Sequence, residues 1–278
     1  MATNKVTTTT IRQKKINAEP ITMLTVYDAA FARLFDEAGI DMLLVGDSVG
    51  NTVLGYESTV PVTMEDMLHH ARAVCRGTSR AMVVVDLPFM CYQVSVEEAM
   101  RNAGRILKET AAVAVKLEGG KEIAPAVKAM TAVGIPVVGH LGLTPQSVNQ
   151  LGGFKVQGKD MAAAQALIDN ARCIEEAGAF ALVLECIPAQ LAAKVTQALS
   201  IPTIGIGGGS SCDGQVLVMH DLLGLLPGFT PKFVKTYRNL HTEVTAAVRE
   251  YIDDVKNRRF PGAEHSFTMA DDVLEKLY

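Results

Sequence analysis

Through most of the chain, short uninterrupted apolar runs alternate with longer segments whose apolar residues return every three or four positions. The runs are ITMLTVY (21–27), DMLLVG (41–46), AMVVVD (81–86), AAVAVKLE (111–118), IPVVGH (135–140), AFALVLE (179–185) and IPTIGIG (201–207). They are rich in Val, Ile and Leu and do not alternate with polar residues, which is the pattern of parallel strands buried on both faces. The segments between them carry helix punctuation. Ser95-Val-Glu-Glu98 reads as a capping box, and Thr63-Met-Glu-Asp66 as a weaker version of one. Gly39, Gly77, Gly134 and Gly178 each follow a helical pattern and suit the position just past a helix C-cap.

Seven strands joined by helices predict an α/β fold, a (β/α)8 barrel. It forms one domain over 1–278, with a short N-terminal extension, C-terminal helices and a tail. The eighth strand is not evident and is expected within 221–236, where LLGLLPGF and PKFVK are poor strand sequences. The alternative is an open doubly wound sheet. Against it, no G-x-G-x-x-G opens the first strand-to-helix turn.

Composition narrows the function. With 49% hydrophobic and 20% charged residues, the 278-residue chain can bury a large core. A net charge of −4 lacks the basic field that a nucleic-acid binder needs. The five cysteines are scattered and form no C-x-x-C pair, which fits reduced thiols in a cytoplasmic protein. No run reaches the length of a membrane-spanning helix, and MATNKVTTTTIRQKK lacks the apolar stretch of a secretory signal.

The chemistry should lie at the C-terminal ends of the strands, where such barrels carry their active sites. Asp47, Asp86, Glu118, His140 and Glu185 each end a different apolar run, and Lys116 precedes Glu118 by two. Strand alternation turns Lys116 and Glu118 to the same face and sends Val115 and Leu117 to the other. A strand-end Asp is equally a helix cap, and Asp28 reads mainly as one. GIGGGSS (205–211) reads evenly as an anion cradle or a tight turn, and His69-His70 as surface. The five polar termini taken together point to one site. Carboxylates without a Cys or His cluster suit a hard cation bound through oxygen, Mg²⁺ first. A divalent cation with a lysine suits a 2-oxo acid whose neighbouring C–H is removed to give an enolate, with Glu185 as the separate base.

At these residues the sequence resembles the ketopantoate hydroxymethyltransferase family. The strings that carry the resemblance include TVYDAAFARLFDEAG, LLVGDSVGNTVLGYESTVPVTMEDM, DLPFMCY, VKLEGG, PVVGHLGLTPQSVNQLGGFKVQG, LVLECIP, IPTIGIGGG, DGQVLVMHDLLG and RRFPGAEHSF. The resemblance covers about residues 6 to 267. The resemblance implies a TIM barrel of the phosphoenolpyruvate/pyruvate type, assembled as a homo-oligomer, typically a decamer. It implies transfer of a hydroxymethyl group from 5,10-methylenetetrahydrofolate to 3-methyl-2-oxobutanoate through a Mg²⁺-stabilised enolate, giving 2-dehydropantoate for pantothenate and coenzyme A. It also implies roles: Asp47, Asp86 and Glu118 as magnesium ligands, with Glu118 acting through water; Asp47, Ser48, Asp86, Lys116 and His140 at the substrate; and Glu185 as proton acceptor. GIGGG stands where the family more often has GIGAG, and TMADDVLEKLY (268–278) has no counterpart in it.

Overall fold

All seven apolar runs become strands: β1 (Ile21–Thr25), β2 (Met42–Val45), β3 (Met82–Asp86), β4 (Ala114–Glu118), β5 (Val137–Gly142), β6 (Ala181–Glu185) and β7 (Thr203–Ile206). This computed structural model describes residues 5–228 and 230–277. Residues 1–4, Phe229 and Tyr278, which belong to the expected extension, eighth-strand segment and tail, lie outside the described residues. The eighth strand is not within 221–236. It is β8 (Gly214–Leu217), upstream of the expected segment. It went unseen because it is four residues long, begins with a glycine, and turns Gln215 to solvent. The strands are parallel and close in chain order, with β8 pairing β1 through Ile21↔Gly214 to Leu24↔Leu217.

Strand alternation separates two apolar cores. Met42, Leu44, Met82, Val84, Ala114, Val138, Val183 and Ile204 fill the barrel interior. Leu43, Val45, Val83, Val85, Val115, Leu117 and Leu182 pack in the larger cluster against the helices. A strand's side chains change face at every step. The inward rows 82–84, 114 and 181–183 therefore continue through Asp86, through Lys116 and Glu118, and through Glu185. One end of the barrel is thus apolar inside and the other is charged.

Helix α1 (Thr8–Ile16) closes the apolar end, with Ile11 and Val6 packed in the interior cluster. Lys14 and Lys15 flank it and reach Asp41 at 3.0 Å and Asp213 at 2.9 Å. The outer layer comprises α2 (Ala29–Glu37), α3 (Met64–Gly77), α4 (Val96–Glu109), α5 (Ala124–Ala132), α6 (Met161–Glu176) and α7 (Ala189–Ala198).

Asp28 is the cap of α2, accepting from the N–H groups of Ala30 and Phe31. The capping box at Thr63 is complete in both directions, whereas Ser95 receives Glu98 N–H without a return bond to its own backbone. Gly39, Gly134 and Gly178 take the expected left-handed conformation after their helices. Gly77 does not. It stays inside α3, where a Cβ would stand 2.3 Å from Ala29 O, so it is there for the close approach of α2 and α3.

No helix joins β7 to β8; GIGGGSS is the turn between them, with Gln215 Nε2 donating to Gly209 O. The last long helix, α8 (Leu240–Lys256), buries none of its side chains. Val244, Val248, Tyr251, Ile252 and Val255 form an exposed apolar stripe along it. No helix among the described residues is long and apolar enough to cross a membrane.

Candidate active site

The register sets the predicted groups side by side. Asp86 stands opposite Lys116, and Glu118 opposite His140. Gly142 stands opposite Glu185. Asp47 comes one residue past the inward position of β2, which Gly46 occupies. A Cβ on Gly46 would stand 2.8 Å from Ser48 Oγ and 3.5 Å from Asp86 Oδ2. With no side chain there, Asp47 N–H reaches Asp86 Oδ2 at 3.1 Å.

Lys116 Nζ lies 3.1 Å from Asp86 Oδ1 and 3.1 Å from His140 Nδ1. His140 Nδ1 is also 3.3 Å from Glu118 Oε1, and its Nε2 is 3.2 Å from Glu185 Oε2. Neither Asp86 Oδ1 nor His140 Nε2 meets the angle of a hydrogen bond, although both are buried. Lys116, Asp86, Glu118 and His140 have side chains only 3–4% exposed, against 15% for Glu185. Four carboxylates therefore face two basic groups, and Glu185 is the one nearest solvent.

Charge and burial shift these groups in different directions. Burial first, then Glu118 and Asp86, hold the Asp47 carboxyl well above the usual range. Burial also raises Asp86, though Lys116 opposes it. Burial works against Lys116, but Asp86, Glu118 and Asp47 outweigh it and keep the ammonium charged. Burial and Lys116 push His140 down, yet its contacts with Glu118 and Glu185 carry it up to about 9. Burial raises Glu118, and the His140 contact and charge bring it below the ordinary carboxylate range.

Ser48 is held by Tyr27, whose hydroxyl lies 2.8 Å from Ser48 Oγ and donates to Thr25 Oγ1 at 2.9 Å. All seven predicted groups, Asp47, Ser48, Asp86, Lys116, Glu118, His140 and Glu185, thus converge at one end of the barrel. Three partners escaped the sequence reading: Tyr27, Tyr92 and Gln146. Each lies within a string that carries the resemblance, but a Tyr or Gln off the strand ends gives no signal of its own. His70 is not simply surface, since its Nδ1 sits 2.7 Å from Tyr27 O.

Among the described residues, no three His, Cys, Asp or Glu side chains form a ready-made metal cage. The donor chemistry nevertheless fits a hard cation that keeps water and substrate oxygens, for which one or two carboxylates suffice. Asp47 and Asp86 each accept a hydrogen bond from the protein at Oδ2, and Asp86 Oδ1 pairs with the Lys116 ammonium. Asp86 Oδ1 is a buried oxygen without a hydrogen bond. Glu118 has both oxygens engaged, by His140 Nδ1 and by Gln146 N–H.

Residues 5–263 match the family model for ketopantoate hydroxymethyltransferase. A 3-methyl-2-oxobutanoate hydroxymethyltransferase of Syntrophus aciditrophicus is 66% identical over 263 residues, spanning 95% of this chain and 97% of its own. The one of Carboxydothermus hydrogenoformans is 57% identical over 275 residues, covering 99% and 100%. Among solved structures, 2,3-dimethylmalate lyase, a PEP mutase/isocitrate lyase superfamily member, superposes with a TM-score of 0.58 at 17% identity, covering 97% of each chain. A phosphoenolpyruvate phosphomutase from Streptomyces platensis gives 0.62 at 14% identity, covering 96% and 94%. These two likenesses speak for the barrel fold alone.

Proposed function

The chain belongs to the ketopantoate hydroxymethyltransferase family, and from that premise we propose that it transfers a hydroxymethyl group from 5,10-methylenetetrahydrofolate to 3-methyl-2-oxobutanoate. The product is 2-dehydropantoate, for pantothenate and coenzyme A synthesis. It is an enzyme of the transferase class. The observation that carries the mechanism is the division of labour among its carboxylates. Asp47 and Asp86 are deep, Asp86 beside an ammonium, whereas Glu185 is partly exposed and held by a histidine.

Asp47 and Asp86 would hold one Mg²⁺, and Glu118, whose oxygens already contact His140 Nδ1 and Gln146 N–H, would complete the set. When bound, Mg²⁺ would set a hard charge against the carboxylate and keto oxygens of the 2-oxo acid, stabilising the charge that builds as the C3 proton leaves. Lys116 stays protonated beside Asp86 and meets the substrate carboxylate. Ser48, oriented by Tyr27, adds a hydroxyl. Glu185 Oε2 takes the C3 proton, and His140 Nε2, 3.2 Å away, orients that carboxylate and compensates its charge. Asp47, Asp86 and His140 line the substrate pocket.

The single domain over 1–278 works as a homo-oligomer, a decamer, in the cytoplasm. The apolar stripe left exposed on α8 supports assembly, and the unpaired cysteines suit a reducing compartment.

Incubation with both substrates and Mg²⁺ tests this reading. 2-Dehydropantoate should form, and omission of either folate or metal should stop it. Absence of product from folded, metal-loaded enzyme overturns it, and cleavage of isocitrate-like acids without folate would instead point to a barrel lyase.

A further inference from the structure

Gln146 belongs to none of the strands. It lies in the short helical turn Pro145–Ser147 after β5 and is buried. Its backbone N–H donates to Glu118 Oε2 at 3.0 Å. Its side-chain amide donates to Asp47 Oδ2 at 2.8 Å and to Leu87 O at 3.0 Å. Its Oε1 faces the Tyr92 hydroxyl at 2.8 Å and Gln93 Nε2 at 3.3 Å. Both donors and both acceptor positions of the amide are in use, so only one orientation satisfies its neighbours. The Tyr92 hydroxyl in turn accepts Glu118 N–H at 3.2 Å.

One residue from a loop after β5 therefore ties together carboxylates that follow β2 and end β4. Those carboxylates repel one another, and burial strengthens the repulsion. A lysine in place of Gln146 would add a charge to the site, and a carboxylic acid would add to the repulsion. A neutral amide gives one side-chain N–H to Asp47 Oδ2 and leaves the net charge unchanged, while the backbone N–H of the same residue serves Glu118 Oε2. The bond to Oδ2 fixes the orientation of the Asp47 carboxylate.

We propose that Gln146, backed by Tyr92, is the positioning residue of the divalent-cation site, its side-chain amide fixing how Asp47 is presented to the cation. This rests on the assignment of the cation to Asp47 and Asp86. Gln146 itself touches neither cation nor substrate. Groups that orient metal ligands commonly change metal affinity by about 10- to 100-fold when removed.

Mn²⁺ titration followed by electron paramagnetic resonance, on the full chain without substrate, reads this directly. Gln146→Met keeps length and burial but removes every polar contact of the side chain. It should bind Mn²⁺ about 10- to 100-fold more weakly than wild type. Tyr92→Phe removes the hydroxyl that backs the amide and also contacts the Glu118 backbone, and should weaken binding by about 2- to 10-fold, the effect of a neutral hydrogen bond.

A purely structural role for Gln146 predicts a lower melting temperature in the metal-free protein with Mn²⁺ affinity intact. Affinities within two-fold of wild type in both variants would therefore overturn the proposal. If circular dichroism finds Gln146→Met unfolded, Tyr92→Phe decides by the same limit. Asp47→Asn is the control. If wild type binds no Mn²⁺, or Asp47→Asn binds it equally well, the cation assignment fails and this inference fails with it.

Discussion

Replacing Lys116 by Met separates the charge roles in the site, because one ammonium pairs with Asp86 and is proposed both to oppose the cation and to meet the substrate. Its side chain is 4% exposed, and Nζ lies 3.1 Å from Asp86 Oδ1. Methionine keeps the length and leaves that oxygen without a counter-charge. Removing one partner of a buried pair costs about 3–5 kcal/mol, a third or more of the stability of many domains, typically about 5–15 kcal/mol. At roughly 2–4 °C per kcal/mol for chains near this size, the metal-free melting temperature should fall by about 6–20 °C. A divalent cation would compensate part of that loss, since it is proposed to sit against the same carboxylate. Without the neighbouring positive charge, Mn²⁺ should bind about 30-fold tighter, the effect of about 2 kcal/mol of repulsion between a double and a single charge at a distance of about 4 Å in water. The 2-oxo acid loses a charged partner worth about 1.5–3 kcal/mol, so KM should rise by about 10- to 100-fold. Differential scanning fluorimetry with and without EDTA, Mn²⁺ titration and steady-state kinetics read the three effects. A metal-free melting temperature within about 2 °C of wild type, or a fall in Mn²⁺ affinity, would refute this account of Lys116.

Gly142→Ala should both destabilise and disable the enzyme. The residue has φ +98°, and a Cβ would stand 2.1 Å from Glu185 O and 2.8 Å from Ile187 Cγ2. The positive φ alone costs about 1–3 kcal/mol, and relief of the clash must move the end of β6. A kcat within two-fold of wild type would show that Glu185 does not depend on this approach. Burial holds His220 below its usual range, partly opposed by Asp28. As pH falls through about 6.5 the unfolded chain takes up this proton first, so stability present above that pH declines until the folded-state value is passed. His220→Asn should flatten the fall in melting temperature between pH 7.5 and 5.5; an unchanged slope would contradict the assignment.

The strands and the inward carboxylates were legible because burial on both faces leaves an unbroken apolar run, and any charge that ends such a run stands out. Lys116 and Glu118 were readable two apart for the same reason, and their shared inward row follows from strand alternation. β8 was not legible: at four residues with Gln215 turned outward, it has neither the length nor the apolar continuity of its neighbours. Gly77 shows another limit. A glycine after a helical pattern suits a cap, but here it serves a helix–helix contact that only the packed structure reveals. Gln146 and Tyr92 were invisible as site residues because their importance lies in what they touch. Nothing in a local string couples position 146 to position 47, 99 residues away.

Glu185 is proposed to remove the C3 proton of the 2-oxo acid before any carbon is transferred, and hydrogen exchange isolates that step. 3-Methyl-2-oxobutanoate with Mg²⁺ in D₂O, without folate, should lose its C3 proton signal in the NMR spectrum when wild-type enzyme is added. The loss should be metal-dependent and absent with Glu185→Gln. No exchange by a preparation that completes the full reaction, or undiminished exchange by Glu185→Gln, would contradict the account.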